Sequence, residues 1–198
     1  MLTLYHHPKT RSTRFIFLLE ELGAPYQLKT VSVRKRDGTG AADPANPHPH
    51  GKVPALSDGG EVVFESPAIA LYLTDKFPKA GLGPLAGEPG RGAYLSWLVY
   101  YGSVLEPAFM SKFLNTPVPR GTAGWVVVEE AMEHVIGTLS KAPYLLGEKF
   151  SAADVLYGTT FAMFGQNPMM PKSQIIDDYA KRVTARPAFA KAMEKDND

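Results

Sequence analysis

The sequence predicts a fold of two parts, a small α/β domain followed by an all-α domain. Strand-like and helical segments alternate over the first third of the chain, and only helical periodicity follows later. Between these parts lies a stretch rich in Gly and Pro, KAGLGPLAGEPGRG, which has the composition of a linker. We therefore expect a first domain at residues 1–79, a linker at 80–92 and an all-helical domain at 93–198.

The overall composition excludes several classes of protein. The 198 residues carry 21 basic and 20 acidic side chains, and a net charge of +1 argues against a surface for nucleic acid or an anionic membrane. The absence of cysteine excludes disulfides, thiolate metal sites and a cysteine nucleophile. No segment approaches the roughly 20 apolar residues of a membrane span, and the first residues lack the apolar stretch of a signal peptide. We expect a cytoplasmic protein without a membrane partner.

The first elements of the chain are predicted to be a strand, a helix and a second strand. Residues 2–5 have strand-like composition and precede a break at Pro8. Apolar residues then recur at the spacing of one helix face: Phe15, Leu18, Leu19 and Leu22. Gly23 is placed to cap this helix, and Pro25 prevents its continuation. Residues 26–33 alternate imperfectly and form the second strand candidate.

A hairpin and a second helix complete the predicted first domain. Residues 34–51 are rich in Gly, Pro, Asp and Asn and are predicted to be loop. Two short strands, at 53–56 and 62–65, flank the turn sequence Ser-Asp-Gly-Gly. Ser66 followed by Pro67 is typical of a helix start with the serine as N-cap.

The residues after the linker show helical periodicity. Two apolar faces are apparent, one formed by Tyr94, Trp97, Leu98, Tyr101 and Leu105, the other by Trp125, Val128, Met132, Val135 and Leu139. Ser151 and Asp154 have the spacing of a capping box, with Asp in place of the usual Glu, and predict the start of a further helix. Residues 175–183 and 187–193 supply two shorter helices.

Two segments of the first domain suit a small peptide-like ligand. A cis bond between Val53 and Pro54 would leave the Val53 backbone open to pair with such a ligand, and a trans proline at a strand edge is an equal alternative. Glu65 and Ser66 open a helix whose N-terminal N–H groups suit a carboxylate, while Glu65 can attract an ammonium group. A plain helix cap is the commoner role for a serine such as Ser66.

Hydroxyl and cationic side chains cluster between the first strand and the first helix. The segment Thr-Arg-Ser-Thr-Arg at 10–14 places hydroxyls at a helix N-terminus, where they can donate to a thiolate that the helix dipole and the cations also stabilise. A thiol pKa lowered by roughly two units from about 8.5 makes the thiol mostly ionised at neutral pH. The alternative is helix capping by Thr10 or Ser12, with the arginines facing water.

Together these segments resemble the glutathione S-transferase superfamily. The resemblance rests on LTLYHHPKTRSTRFIFLLEELGAPY, HPHGKVPALSDGG and FESPAIALYL in the first half, and on YLLGEKFSAADVLYG and ARPAF in the second. It implies a thioredoxin-like βαβαββα domain followed by an all-helical bundle domain, with glutathione as co-substrate and no metal. It also implies a homodimer that pairs the first domain of one chain with the second domain of the other.

The resemblance assigns glutathione-binding roles within the first domain. Glu65 and Ser66 contact the γ-glutamyl end, and the Val53 backbone, before cis Pro54, pairs with the cysteinyl part. Two further candidates, Lys52 and His50, are expected to face the glycyl carboxylate or the peptide.

The thiolate donor is expected just after Pro8. In many bacterial and plant relatives a serine two residues past such a proline donates to the sulfur, and Thr10 holds that position here. A register one residue later places Arg11 where some bacterial relatives carry cysteine, with Ser12 following. The order of preference is Thr10, Ser12 and then Arg11. Without cysteine at this place, conjugation by the thiolate is favoured over disulfide exchange.

The electrophile is expected to bind between the domains, against the first long helix of the second domain. The candidate residues are Tyr100, Tyr101, Met110 and Phe164, and then Trp97, Val104 and Phe161. Because Trp97 and Tyr101 also lie on the packing face of their helix, a core role is favoured for both.

The predicted function is therefore transfer of glutathione to small apolar electrophiles, as in detoxification. Other glutathione-dependent activities (isomerase, dehalogenase or peroxidase) and a non-catalytic glutathione-binding or protein-interaction module remain alternatives on the same fold. No metal site is predicted, because the pair His6 and His7 and the pair His48 and His50 lack further ligands at matching spacing.

Overall fold

The structure is a computed structural model that describes residues 1–165, 167 and 170–197. Within this part of the chain the strands are β1 (Leu2–His6), β2 (Tyr26–Thr30), β3 (Ala55–Asp58) and β4 (Glu61–Phe64). The α-helices are α1 (Thr13–Leu22), α2 (Ser66–Lys76), α3 (Arg91–Tyr100), α4 (Glu106–Phe113), α5 (Val128–Leu139), α6 (Ala152–Phe164), α7 (Gln174–Thr184) and α8 (Pro187–Lys195). A 3₁₀ turn at Pro78–Ala80 follows α2, and a π-helical turn at Tyr101–Leu105 joins α3 to α4.

The chain divides into two compact units. The first unit comprises residues 1–80 and the C-terminal segment from Arg186 onward, and the second comprises Gly81–Ala185. Helix α8 therefore belongs to the first unit, although the sequence pattern predicted it in the helical domain. The predicted linker at 80–92 lies at the beginning of the second unit.

The first unit is built on a mixed sheet with the strand order β2-β1-β3-β4. β1 pairs in parallel with β2 and antiparallel with β3, and β3 pairs antiparallel with β4. The hairpin turns at Gly59 and Gly60, whose φ angles of 59° and 98° are those that a tight type I′ turn requires. The alternation of β1 buries Leu2, Leu4 and His6 on one face.

Helices α1 and α8 pack together in the first unit. Phe17 of α1 meets Phe189 of α8 edge to face, with ring centroids 5.5 Å apart. The Arg186 guanidinium, at the start of α8, forms a bidentate ion pair with Glu21 at 2.7 and 2.8 Å. Gly23 ends α1 in the left-handed conformation, at a φ of 60°, as its position predicts.

The loop predicted at residues 34–51 is confirmed, because residues 31–54 contain no helix and proline and glycine interrupt this segment repeatedly. The βαβαββα order implied by the resemblance had placed a helix between β2 and β3. Two boundaries also differ from the sequence prediction. The strand predicted at 53–56 begins at Ala55, beyond Pro54. The N-cap of α2 is Glu65, one residue before the predicted Ser66.

The second unit is helical throughout its regular elements. The predicted apolar face of α3 and the following turn is buried as expected, from Tyr94 to Leu105. Helix α5 begins at Val128, so Trp125, which was predicted to share its apolar face, lies in the loop before the helix. The capping box of Ser151 and Asp154 is formed at the start of α6. No described helix is long and apolar enough to span a membrane.

Candidate functional site

The loop that joins β1 to α1 carries the hydroxyls of Thr10 and Ser12, whose oxygens lie 2.8 Å apart. The Thr10 hydroxyl donates to the His7 carbonyl at 2.7 Å, and the Ser12 oxygen accepts the His7 backbone N–H at 3.2 Å. The Ser12 backbone N–H donates in turn to the Thr10 oxygen at 3.3 Å. The two hydroxyls therefore form one connected cluster at the N-terminal end of α1.

The three predicted donor candidates differ in accessibility. Ser12 is completely buried, Thr10 is half-buried and Arg11 is exposed. Thr10 thus combines access to a ligand with a direct hydrogen bond to the buried hydroxyl of Ser12. The alternative, in which Thr10 or Ser12 only caps the helix, placed both arginines of this segment in water. Arg14, however, is buried.

His6 belongs to this cluster, although the sequence analysis considered it only as a metal ligand and rejected that role. Its ring is 1% exposed, with Nδ1 2.8 Å from the Ser12 oxygen and Nε2 3.4 Å from a carboxylate oxygen of Asp196. The predicted strand ended at residue 5, and its period-two pattern, extended by one residue so that His6 follows Leu2 and Leu4, is the signal that could have indicated this burial.

Asp196 reaches the same loop from the end of α8. Its buried carboxylate accepts the Lys9 backbone N–H through both oxygens, at 3.1 and 3.2 Å, and accepts the Thr13 hydroxyl at Oδ1. Lys9 has a φ of 58°, a backbone conformation that residues other than glycine adopt infrequently. Asp196 therefore connects the loop, the first residue of α1 and the C-terminal segment.

The burial of His6 leads to a prediction for the pH dependence of stability. Burial lowers the pKa of His6 below the 6.5 of an ordinary histidine, while Asp196 acts in the opposite direction. Because the unfolded chain then binds the proton more readily, the free energy of unfolding should fall as the pH is lowered through about 6.5. His6→Asn should make this fall smaller. Denaturant unfolding between about pH 7.5 and 5.5 measures the effect, and an equal pH dependence in both proteins would contradict it.

The Val53–Pro54 peptide bond is cis and directly precedes β3. Val53 is half-buried, and among the described residues neither its N–H nor its C=O forms a hydrogen bond. A backbone donor and acceptor that lie together outside any strand pairing can bind an extended peptide.

Glu65 and Ser66 lie at the N-terminal end of α2. Glu65 has φ 70° and ψ 126°, a conformation that costs a residue other than glycine about 1–3 kcal/mol and is typical of functional sites. The Ser66 side chain forms no hydrogen bond with any described residue, so its hydroxyl does not cap the helix. The first turn of α2 thus presents a carboxylate, a hydroxyl and unpaired backbone N–H groups together.

His50 and Lys52 are exposed on the segment that leads to cis Pro54. His48, a buried neighbour, accepts the His50 backbone N–H at Nδ1, at 3.0 Å. Burial lowers the pKa of His48, in agreement with an unprotonated Nδ1, although Glu65 opposes the shift. The Asn46 amide donates to the Lys52 carbonyl at 2.9 Å and fixes the backbone beside it.

The four predicted electrophile-binding residues divide into two groups. Met110 and Phe164 are each 43% exposed, and Tyr100 is half-buried. Tyr101, in contrast, is completely buried, and its hydroxyl contacts Glu106 and Thr160 at 2.8 Å. Tyr101 is therefore a core residue of the second unit, because its hydrogen-bonding capacity is used within that core.

A cavity of about 450 Å³ opens in the second unit, where the end of α4 faces the start of α5. Its lining includes Lys112, Trp125 and Glu129 and none of the four predicted electrophile-binding residues. Within the described residues, no three or more of His, Cys, Asp and Glu are grouped so that they could hold a metal ion.

Comparison with known proteins identifies a consistent set of relatives. Residues 1–75 match the family model of the glutathione S-transferase N-terminal domain. The chain is 28% identical to Glutathione S-transferase 3 of Zea mays over 210 residues, which cover 97% of this chain and 93% of that protein.

Two solved bacterial structures share the fold over nearly the full length. One is a sphingomonad glutathione S-transferase complexed with glutathione, with 29% identity, a TM-score of 0.73 and coverage of 98% of each chain. The other is the beta class glutathione S-transferase of Sphingomonas chungbukensis, with 30% identity, a TM-score of 0.71 and coverage of 98% of each chain.

Proposed function

This chain belongs to the glutathione S-transferase superfamily, and from this membership we propose that it binds glutathione and ionises its thiol for transfer to small apolar electrophiles. The observation that carries the proposal is the hydroxyl cluster of Thr10 and Ser12 at the N-terminal end of α1, in a chain that has no cysteine. The protein is thus a glutathione transferase that uses a hydroxyl, and not a thiol of its own, at the sulfur.

Thr10 is the proposed donor to the thiolate. Its hydroxyl is half-buried, whereas Ser12 is completely buried and serves as the inner member of the cluster. A hydroxyl that donates to the sulfur favours the thiolate over the thiol and lowers its pKa, and the dipole of α1 acts in the same direction. Arg11 is exposed and lies between them in sequence, so we propose no direct contact of Arg11 with the sulfur.

The remaining glutathione contacts are proposed for the segments around cis Pro54 and the start of α2. Glu65 attracts the γ-glutamyl ammonium group, and Ser66 together with the first turn of α2 binds the carboxylate on the same carbon. The Val53 backbone pairs with the cysteinyl part of the peptide, next to cis Pro54. His50 and Lys52, both exposed, are proposed for the glycyl carboxylate.

The second unit is proposed to contact the electrophile through Tyr100, Met110 and Phe164. These side chains are apolar or aromatic and at least partly exposed, which suits a small apolar electrophile. We also propose that residues 1–79 bind glutathione and that the helices from residue 93 onward contact the electrophile, apart from α8, which belongs to the first unit. Transfer to an aromatic halide and to an α,β-unsaturated carbonyl, each with glutathione, measures the activity.

The activity test separates catalysis from binding alone. A transferase should bind glutathione with a thiol pKa below that of free glutathione and should accelerate conjugation above the uncatalysed rate. Ultraviolet absorbance of the thiolate across pH measures the first property. Binding without a change in the thiol pKa and without conjugation would instead support a non-catalytic glutathione-binding module.

A homodimer and a cytoplasmic location are part of the proposal. Light scattering should give about twice the mass of one chain, and a single species of one chain mass would refute the dimer. Fractionation of cells that express the protein with its own N-terminus checks the location.

Ser66→Ala should weaken glutathione binding without unfolding the protein. The hydroxyl makes no hydrogen bond with described residues, so its loss removes a ligand contact and no internal one. We expect a loss of about 1–3 kcal/mol, because the acceptor is a charged carboxylate. Calorimetric titration measures the affinity. Ser140→Ala, which changes an exposed serine of the second unit, is the matched control, and equal affinities of the two variants would refute the contact.

A further inference from the structure

Three short contacts connect His6, Ser12, Thr10 and the His7 carbonyl in a row. The distances are 2.8 Å from His6 Nδ1 to the Ser12 oxygen, 2.8 Å from there to the Thr10 oxygen, and 2.7 Å from the Thr10 oxygen to the His7 carbonyl. Each is a normal hydrogen-bond length for the atoms it joins. Each contact therefore requires one hydrogen atom between its two partners.

The two hydroxyls supply only two of these three hydrogens. The carbonyl oxygen can only accept, so the Thr10 hydrogen lies on the His7 carbonyl. The Ser12 hydrogen then lies on the Thr10 oxygen, 2.8 Å away, in preference to the His7 carbonyl, which is 3.3 Å from the Ser12 oxygen and already accepts the Thr10 hydrogen. The third hydrogen, between His6 and Ser12, can come only from Nδ1 of His6.

The other side of the imidazole supplies no hydrogen bond. Within the described residues Nε2 has no hydrogen-bond partner, and its distance to Asp196 exceeds the usual length of an N–H···O bond. Asp196 Oδ1, 3.4 Å away, already accepts the Thr13 hydroxyl and the Lys9 backbone N–H. The charged or titratable groups that act on the ring are Asp196 and His7, and burial lowers the pKa of His6, which favours the neutral ring.

We propose that His6 is a positioning residue, which donates from Nδ1 to Ser12 and so keeps the Thr10 hydrogen out of the Ser12 contact and available to the sulfur of glutathione. The inference rests on the proposed function for its last step only, since the direction of the hydrogens is a property of the protein alone. When the thiolate binds, it replaces the His7 carbonyl as the acceptor of the Thr10 hydrogen.

The opposite tautomer of His6 would reverse the row of hydrogen bonds. If Nδ1 were the acceptor, the Ser12 hydrogen would point to His6 and the Thr10 hydrogen would be needed for the Ser12 oxygen. Thr10 would then have to give up its bond to Ser12, and so interrupt the row, before it could donate to the sulfur. With donation from His6, Thr10 gives up only its bond to the His7 carbonyl and still accepts from Ser12, and chains of hydrogen bonds that point in one direction strengthen one another.

Asp196 holds the loop on which this row depends. The carboxylate binds the Lys9 backbone N–H and the Thr13 hydroxyl, on either side of Thr10 and Ser12 in sequence. The end of the chain thus stabilises the loop geometry at the other end of the sequence. Asp196 acts through Lys9 and Thr13 and is a second positioning residue.

The tautomer of His6 is directly measurable without glutathione. In the full-length protein labelled with ¹⁵N at histidine, two-bond proton–nitrogen correlation spectra at about pH 7.5 distinguish a protonated from a bare Nδ1. His6→Asn, which lacks one set of signals, assigns the resonances. We expect His6 to be protonated at Nδ1 and bare at Nε2. A ring with hydrogen only at Nε2 overturns the inference, whether or not the protein is a transferase.

A kinetic comparison tests the consequence for the sulfur. His6→Leu removes the donor, whereas His6→Asn places an amide N–H near the position of Nδ1. We expect His6→Leu to raise the thiol pKa of bound glutathione and to lower kcat/KM about 10- to 100-fold. In His6→Asn both the thiol pKa and kcat/KM should lie close to the wild-type values. Gln27→Leu, at an exposed glutamine of β2 in the same unit, is the control.

The outcomes of this comparison are distinguishable. A wild-type protein that does not ionise bound glutathione refutes the proposed function, and the spectra then decide the tautomer alone. If the wild-type protein ionises bound glutathione and His6→Leu has the same kcat/KM and the same thiol pKa as the wild type, the positioning role is overturned. A purely structural role would lower the unfolding midpoint of His6→Leu and leave the thiol pKa of the folded protein unchanged.

Asp196 is tested by two substitutions. Asp196→Asn keeps a carbonyl oxygen that can accept from Lys9 and Thr13, whereas Asp196→Ala removes every acceptor. We expect Asp196→Ala to lower kcat/KM about 10-fold, with Asp196→Asn closer to the wild type. Equal activity of Asp196→Ala and the wild type would remove Asp196 from the inference.

Discussion

Thr10→Val should lower kcat/KM for glutathione conjugation by about 100-fold, the effect that the loss of one preorganised hydrogen-bond donor at a developing charge typically has. Valine preserves the shape of threonine and removes only the hydroxyl. Without the donor the thiol pKa of bound glutathione should return toward about 8.5, so that little thiolate forms at neutral pH. The affinity for glutathione should change less than the rate, because the peptide contacts lie elsewhere in the first unit.

A threonine-to-valine substitution at a distant site tests whether the loss of kcat/KM is specific to Thr10. Thr30→Val changes an exposed threonine at the end of β2 and should keep the activity of the wild type. Rates are measured at saturating and at limiting glutathione across pH, which separates binding from ionisation. If Thr10→Val retains full activity while Ser12→Ala loses it, the donor is Ser12, and the preference for Thr10 is wrong.

The main elements of the fold could be predicted from the sequence because their patterns are local. The apolar spacing of α1, the Gly23 cap and the Gly59 and Gly60 turn each specify a structure within a few residues. The capping box of α6 is equally local. Boundaries were less predictable: β3 begins after Pro54, because proline cannot donate a backbone hydrogen bond to the sheet.

The buried half of the candidate site could not be predicted, because it depends on contacts between distant parts of the chain. Asp196 meets Lys9 across 187 positions in sequence, and this requires α8 to pack within the first unit. A single-sequence pattern contains no information on that packing. The burial of His6 was predictable from the alternation of β1, whereas its partner Ser12 was not, because the loop between them has no regular period.

Asp154→Ala should strongly destabilise the protein, with a loss of about 3–5 kcal/mol in the free energy of unfolding. The side chain is completely buried in the second unit. Its carboxylate accepts the Leu145 and Ser151 backbone N–H groups at 2.9 and 2.8 Å, and the Ser151 and Tyr179 hydroxyls at 2.8 and 2.9 Å. Alanine would leave these buried donors without an acceptor and would remove the cap of α6 at the same time.

A graded series of variants distinguishes the buried network from simple capping. Ser151→Ala should cost about 1 kcal/mol, the usual contribution of an N-cap, and Asp177→Ala, at an exposed aspartate in the first turn of α7, about 0.5 kcal/mol. Denaturant unfolding followed by circular dichroism measures all three. Equal losses for Asp154→Ala and Ser151→Ala would mean that only the cap matters and that the bonds from Leu145 and Tyr179 contribute little. A clear excess for Asp154→Ala would instead show that this carboxylate joins α6, α7 and the preceding loop into one cooperative unit, because Tyr179 lies on α7 and Leu145 lies in that loop.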